Sequence, residues 1–214
     1  MKIIEIYKEF RIPPNLQEHM IRVCGIINFI ENHWKGEKVD WKLVKKIALL
    51  HDMGNIIKFN LDAHPEFLGT EEPNIEYWKK VQKEVIDEYG SDEEEATSQM
   101  LRKVGVDEKS IQVINDKAFG NSVGVKDSDN WHLKLLYYAD LRILPFGVGT
   151  LEERLSDVRG RMPKYTSRPD FEDLVSACRE IEKQIQNNLD IPVSEITSET
   201  TMFDKDMLVK LELL

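Results

Sequence analysis

Apolar residues recur at intervals of three and four along most of this chain, which is the period of an amphipathic helix. The clearest stripe consists of Leu16, Met20, Val23, Ile27 and Ile30. Asn15 and Glu18 resemble a capping box, so we predict a helix that begins there and runs to about residue 32. No segment alternates convincingly in the manner of a half-buried strand. The pattern therefore predicts an all-α fold.

Capping residues and glycines divide the rest of the chain into further helices. We predict them from Asp40 to Gly54, from about 74 to 90, from Ser91 to Gly105, over 107–119, from about 130 to before Pro145, from Thr150 to about Arg159, and from Ser167 through Ile185. Residues 120–128 and 145–150 are predicted to be loops. We expect a helical domain over residues 1–190. Residues 191–214 are expected to be an extension that packs on the body or on a partner, with a short helix over 208–214.

Four ionisable side chains occupy positions that the apolar period assigns to the core. His19 falls within the first stripe, His51 and Asp52 end the second apolar run, and Asp140 lies one turn after Leu136. Burial of such groups is costly unless they are paired or bind a metal. A single histidine on an apolar face is usually a hydrogen-bonded core residue. Two histidines and two aspartates in matching positions favour a shared metal ion.

The chemistry of these four side chains indicates which ion and which reaction to expect. Two imidazoles and two carboxylates suit a divalent ion such as Mn, Fe, Co, Ni, Zn or Mg. Four protein ligands would leave two positions of a six-coordinate ion for water and a phosphoryl oxygen. Such an ion lowers the pKa of a bound water and polarises the phosphoryl group. That combination is what hydrolysis of a phosphate ester requires.

The order His19, His51-Asp52, Asp140 resembles the His…His-Asp…Asp motif of the HD-domain superfamily of metal-dependent phosphohydrolases. The resemblance covers roughly residues 10–145. It implies a helical bundle with a metal site between helices, one or two metal ions, and hydrolysis of phosphomonoesters or phosphodiesters. Many substrates of the superfamily are nucleotides, so a small nucleotide is the leading expectation here.

The residues after the doublet depart from several branches of this superfamily. Asn55 stands where many members have lysine, and Glu66 is the first glutamate after the doublet. His64 loosely resembles the additional histidine of two-metal branches, but the further histidines of those enzymes are missing. We therefore favour a pocket-edge, substrate-contacting or loop-capping role for His64 over metal ligation. The acids Glu93–Glu95 are interpreted as the solvated start of a helix.

Two cations are candidates for contact with the substrate phosphate. Lys58 closely follows the doublet, and Arg142 lies two residues past Asp140. A positive group there would stabilise the charge that develops in the transition state. We expect Lys58 to be the stronger candidate and Asp52 to manage the proton of the attacking water. For both cations the alternative is an ordinary surface charge.

A second group of cations is interpreted as solvated and paired with nearby acids, with a phosphate-facing edge as the alternative: Arg154, Arg159 and Arg161.

Composition narrows the remaining classes of function. The net charge of −10 disfavours a duplex-binding face, because an acidic surface repels phosphates. No apolar run is long enough to span a membrane and the first residues lack a secretory pattern, so we expect a cytoplasmic protein without a membrane partner. Cys24 and Cys178 fall on apolar faces and predict buried free thiols rather than a disulfide. The formation of a homo-oligomer is left open by the composition.

Two other functions stay open beside hydrolysis. The first is a regulatory module that keeps the metal site and binds a nucleotide without hydrolysing it. The second is a helical interaction protein in which the four ionisable residues form buried polar pairs. Metal content separates the second from the others, and turnover of a phosphate ester separates the first.

Overall fold

The computed structural model describes residues 1–145 and 147–202, and this part of the chain is predominantly helical. Its α-helices are α1 Ile3–Glu9, α2 Pro14–His33, α3 Trp41–Ala48, α4 Ile75–Tyr89, α5 Glu93–Lys103, α6 Glu108–Asp116, α7 Ser122–Asp127, α8 Trp131–Leu141, α9 Leu151–Arg161, α10 Pro163–Thr166 and α11 Phe171–Gln186. Short 3-10 helices cover Asn55–Lys58, Pro65–Asn74, Phe119–Asn121 and Val193–Glu195. Strands β1 (Ile143–Leu144) and β2 (Gly147–Val148) form an antiparallel hairpin. The predicted all-α class is confirmed.

The chain divides into two compact units. The first contains residues 1–21 and 49–112, and the second contains residues 22–48 and 113–202 apart from residue 146. Helices α2 and α6 contribute residues to both units. The expected boundary at residue 190 stays a prediction, and the predicted helix over residues 208–214 lies outside the described residues.

The core of the first unit forms around α4 and α5, which pack on each other and on the 3-10 helix Asn55–Lys58. The inward residues of α4 and α5 are Trp78, Val81, Val85, Ala96, Met100 and Leu101. The side-chain amide of Gln82 donates to the carbonyls of Ile56 and Phe59, each at 2.7 Å. These bonds satisfy backbone oxygens that a short helix leaves unpaired. The segment that follows the His51-Asp52 doublet is thereby fixed on α4.

The core of the second unit forms around α11, which packs on α7, α8 and α9, while α3 packs on α8. The predicted apolar face of α11 is buried along its whole length: Phe171, Leu174, Val175, Cys178, Ile181 and Ile185. The predicted capping box of α9 is also present, since Thr150 Oγ1 accepts from the Glu153 N–H at 3.2 Å. Helix α8, which carries Asp140, is thus enclosed by packed helices of its own unit.

Several elements differ from the sequence-based expectation. The segment 120–128, predicted to be a loop, contains α7, and the segment 145–150 contributes β2 to the hairpin. Helix α7 is short, but its Val125 is fully buried and the helix packs on α11. Tertiary burial therefore stabilises a helix that local propensity does not reveal. Helix α5 also starts later than predicted, because Asp92 rather than Ser91 caps it, accepting from the backbone of Glu94 and Glu95.

Candidate metal site

The His51-Asp52 doublet lies in a buried run of turns. Helix α3 ends at Ala48 and residues 49–54 form these turns, so the predicted helix end at Gly54 is wrong. Gly54 has φ −86° and is not a left-handed helix cap. It permits close packing instead: a Cβ there would lie 2.8 Å from both the Glu93 carbonyl oxygen and Thr97 Oγ1.

Hydrogen bonds from two helices hold this run of turns. The Gly54 N–H donates to Thr97 Oγ1 of α5 at 2.9 Å, and the Thr97 hydroxyl donates in turn to the Glu93 carbonyl at 2.7 Å. Helix α1 was not predicted from the sequence. The hydroxyl of its residue Tyr7 donates to the Leu49 carbonyl at 2.6 Å. All of these residues belong to the first unit. The doublet is therefore placed by buried polar contacts and not by helix continuation.

Three of the predicted ligands meet in the first unit. His19 Nε2 lies 3.2 Å from His51 Nε2 and 3.4 Å from Asp52 Oδ2. His51 Nε2 lies 3.4 Å from Asp52 Oδ1. The His51 side chain is completely buried, whereas 24% of His19 and 12% of Asp52 are exposed. The cluster therefore has a closed side at His51 and an accessible side at His19.

The donor set of this cluster fits a single divalent ion. Two ligand atoms about 2.1 Å from an ion are separated by about 3.0 Å at a right angle and by about 3.4 Å at the tetrahedral angle. The observed separations of 3.2 to 3.4 Å fall in this range. Imidazole nitrogen and carboxylate oxygen are also the donors that borderline divalent metals prefer. His19, His51 and Asp52 could therefore hold one ion.

Asp140 lies in the second unit, near the end of α8. Its Oδ2 atom is 3.2 Å from the ammonium nitrogen of Lys117, which directly follows α6. The expectation that Asp140 shares an ion with the two histidines stays a prediction. Lys117 was not predicted as a functional residue. A signal was present, because Lys117 falls three and four residues after the buried Ile114 and Val113.

Lys58 and His64 are both exposed in the first unit. Lys58 ends the 3-10 helix that follows the doublet, and no described residue forms an ion pair with it. His64 precedes the 3-10 helix Pro65–Asn74, with Nδ1 3.0 Å from Glu66 Oε1 and its ring 5.1 Å from the Phe67 ring. These contacts favour a loop-stabilising role for His64. Substrate contact by either residue stays a prediction.

Arg142 occupies a different environment from the one expected of a phosphate-binding cation. The residue is only 2% exposed, and its guanidinium donates to the carbonyls of Gly149 and Ile196 and to the hydroxyl of Tyr138. Glu182 lies 3.8 Å away. A guanidinium that already bonds buried oxygen atoms is not available to a substrate. This placement argues against the predicted phosphate contact and assigns Arg142 a structural role.

The remaining candidates behave as ordinary structural residues. Arg154 and Arg161 pair with Asp157, and Arg159 pairs with Glu172 at 2.9 Å, as the paired-charge interpretation expected.

Both cysteines are free and buried. Burial raises the pKa of the Cys24 thiol to about 12 and also raises the pKa of Cys178. Neither thiol is therefore suited to act as a nucleophile.

Comparisons of this chain with protein-family models, with curated proteins and with solved structures give no match. In the part of the chain that the structure describes, no helix is both long and apolar enough to cross a membrane. The resemblance to the HD-domain superfamily therefore rests on the motif residues themselves.

Proposed function

We propose that this protein is a metal-dependent phosphohydrolase of the HD-domain type that acts on a small phosphate ester, with a nucleotide as the leading candidate. The observation that carries the proposal is the meeting of His19 Nε2, His51 Nε2 and the Asp52 carboxylate at separations of 3.2 to 3.4 Å. In this proposal Asp140 completes the ligand set. The ion is one of Mn, Fe, Co, Ni, Zn or Mg.

The accessibility of the cluster supports a reaction centre over a closed structural site. His51 is sealed from solvent, so one side of the ion would be held by a rigid ligand. His19 is partly exposed, which lets a water and a small substrate approach from that side. A divalent ion bound here would act as a Lewis acid and supply a nucleophilic water near neutral pH.

The side chains of the first unit have separate roles in the proposed reaction. In this proposal the Asp52 carboxylate, which faces both imidazoles, would also accept a proton from the attacking water. Lys58 is exposed on the segment that follows the doublet, where its ammonium can bind a phosphate oxygen. The two buried thiols take no part.

One observation also favours a second candidate, a helical interaction protein without a metal. The distance of 3.2 Å between the two Nε2 atoms suits a hydrogen bond in which one imidazole donates to the other. The Asp52 carboxylate could then accept a hydrogen bond from an imidazole N–H group, and the cluster would be a buried polar network. A regulatory module that binds metal and nucleotide without turnover is the third alternative.

Metal analysis and a hydrolysis screen separate these alternatives. The purified protein is loaded with each of several divalent ions and assayed on nucleoside monophosphates and on a generic phosphodiester. The matched variants are Asp52→Asn and Asp190→Asn, because Asp190 forms a comparable pair with His33 at 2.9 Å outside the cluster. We expect metal uptake and hydrolysis in wild type and Asp190→Asn, and neither in Asp52→Asn. Metal uptake without hydrolysis would indicate the regulatory module, and no metal uptake would indicate the interaction protein.

A further inference from the structure

Three aromatic side chains of the first unit, Phe59, His64 and Phe67, form a row at its surface. The centre of the Phe67 ring lies 5.5 Å from that of Phe59 and 5.1 Å from that of His64. Phe67 is 38% exposed, and the side chain of His64 is 53% exposed. A single exposed apolar residue is ordinary, but three rings in contact at the surface offer π-faces to a flat ligand. We call these three residues the aromatic row.

Hydrogen bonds to two helices fix both phenylalanines of the aromatic row. The Phe59 carbonyl accepts from the side-chain amide of Gln82 in α4 at 2.7 Å, and the Phe67 carbonyl accepts from the side-chain amide of Asn15 in α2. Leu68 follows Phe67 directly and is completely buried, so it anchors the backbone beneath the exposed ring. A ring that is held in place before binding loses little conformational freedom when a ligand stacks on it.

The aromatic row lies beside the candidate metal cluster, within the same unit. Asn15, which bonds the Phe67 carbonyl, precedes His19 by four residues, so the two side chains share one face of α2. Four residues of helix correspond to a rise of about 6 Å. His19 is on the accessible side of the cluster, and Lys58 directly precedes Phe59 in the chain. The row is therefore next to the side from which a substrate would approach.

We propose that Phe67 stacks on the base of a nucleoside phosphate and thereby selects this class of substrate, an inference that rests on the proposed function for the position of the phosphate. The phosphate then lies at the cluster and Lys58, and the sugar spans the distance to the aromatic row. Every base has a π-face, so we expect little preference among the bases. Phosphate esters without a base lack this contact. Phe67 is therefore a specificity-determining residue and takes no part in the chemical step.

Stacking on a base has a signature that packing within the protein lacks. Leucine at position 67 keeps an apolar side chain against Phe59 and His64 but has no π-face, whereas tyrosine keeps the ring. If Phe67 only packs on its two neighbours, the leucine variant should bind ligands as the wild type does. If Phe67 stacks on a base, Phe67→Leu should lose affinity for ligands that carry a base, and Phe67→Tyr should keep it.

Tyr77 provides a matched control in the same unit. It is 51% exposed, and its ring lies 5.1 Å from that of Trp78, outside the aromatic row. Tyr77→Leu removes an exposed ring of similar size. It tests whether the loss of any exposed aromatic side chain weakens binding.

The experiment measures the dissociation constants of adenosine monophosphate and of ribose 5-phosphate for the full chain by NMR titration, in chelator so that neither ligand is hydrolysed. The two ligands share the phosphate and the sugar, and only the first carries a base. We expect the wild type to bind adenosine monophosphate at least about tenfold more tightly than ribose 5-phosphate. Phe67→Leu should abolish this difference, whereas Phe67→Tyr and Tyr77→Leu should keep it. Phe67→Met replaces Phe67→Leu if that variant does not fold. Uptake of Mn²⁺ should be unchanged in every variant.

Equal affinities of the wild type for the two ligands, or no detectable binding of either, would overturn the inference. So would a preference for adenosine monophosphate that persists in folded Phe67→Leu or Phe67→Met, or one that is lost equally in Tyr77→Leu. Hydrolysis of both esters by the metal-loaded protein would then leave the proposed function standing. Preferential binding of adenosine monophosphate without hydrolysis by the metal-loaded protein would instead overturn the proposed hydrolysis and keep the base-stacking role of Phe67.

Discussion

The Nε2 atoms of His19 and His51 lie 3.2 Å apart, although the two histidines are separated by 32 residues in the chain. A neutral imidazole has one protonated nitrogen and one with a lone pair. Two Nε2 atoms at this distance are compatible with a shared proton or with an ion that accepts both lone pairs. The metal account requires both Nε2 atoms to be unprotonated, with the protons on Nδ1.

Replacing His51 by Ala tests this requirement. We expect the Mn²⁺ dissociation constant to rise by at least about a hundredfold, because a buried side chain that binds the ion directly is lost. Metal should also cease to raise the melting temperature, since an ion stabilises a fold only as far as it binds the folded state. Asp52→Ala should behave in the same way.

The control for this pair of variants is His33→Ala, which removes a partly exposed histidine that pairs with Asp190. Calorimetry and thermal melting should show wild-type metal binding for this control. Full metal occupancy in folded His51→Ala or Asp52→Ala protein would show that the cluster is not the metal site.

Lys58 should act on the substrate and not on the metal. Replacing it by Met is expected to lower kcat/KM by about tenfold to a hundredfold, because a single charged hydrogen bond to phosphate contributes roughly 1.5 to 3 kcal/mol. Metal content should stay at the wild-type level. Lys80→Met is the matched surface control, since Lys80 is exposed and lies 3.9 Å from Glu84. Equal steady-state kinetics in the two variants would remove Lys58 from the proposed mechanism.

Arg142 should contribute to stability and not to substrate binding. Its replacement by Met leaves the carbonyls of Gly149 and Ile196 without their donor, so we expect a loss of about 3 kcal/mol or more in the free energy of unfolding. Arg159→Met removes an exposed pair with Glu172 and should cost less than about 1 kcal/mol. Urea denaturation compares the two. A stable Arg142→Met protein with raised KM would restore the phosphate-binding interpretation.

Gly54 should be intolerant of a side chain. A Cβ at this position would lie 2.8 Å from the Glu93 carbonyl, and backbone cannot move aside cheaply. We expect Gly54→Ala to lose about 1 to 3 kcal/mol of stability and to bind metal more weakly, because the turn carries the doublet. At Gly160, within α9, a Cβ meets nothing within 4 Å. Gly160→Ala should therefore gain up to about 1 kcal/mol. Equal thermal stability of the two variants would contradict the packing account of Gly54.

The sequence was sufficient to predict the helices whose apolar faces are continuous. The stripe of α2 is buried at every predicted position: Leu16, Met20, Val23, Ile27 and Ile30. The cap of α3 was also predicted, since Asp40 Oδ1 accepts from the Leu43 N–H at 3.1 Å. Periodicity and capping are local properties, and they are visible without knowledge of the tertiary contacts.

Features that depend on tertiary packing could not be predicted in this way. The run of turns over residues 49–54 is held by the contact of Gly54 with α5, which no local pattern in residues 41–54 reveals. Arg142 was predicted to contact the substrate phosphate, because the acceptors that bury its guanidinium lie up to 54 residues away along the chain and no local pattern reveals them. For the candidate site, the two histidines and Asp52 were predicted from their positions on apolar faces. The pairing of Lys117 with Asp140 in the second unit was not predicted, although Lys117 follows the buried Val113 and Ile114 at helical spacing.

The central claim is tested most directly by measuring hydrolysis as a function of the metal content of the protein. The full chain is stripped with a chelator, dialysed and titrated with Mn²⁺ while turnover of a nucleoside monophosphate and of a generic phosphodiester is measured. We predict no turnover in the stripped protein and a linear rise that saturates at about one ion per chain. Activity that survives complete removal of metal would contradict the account. So would a fully loaded protein that hydrolyses none of these esters.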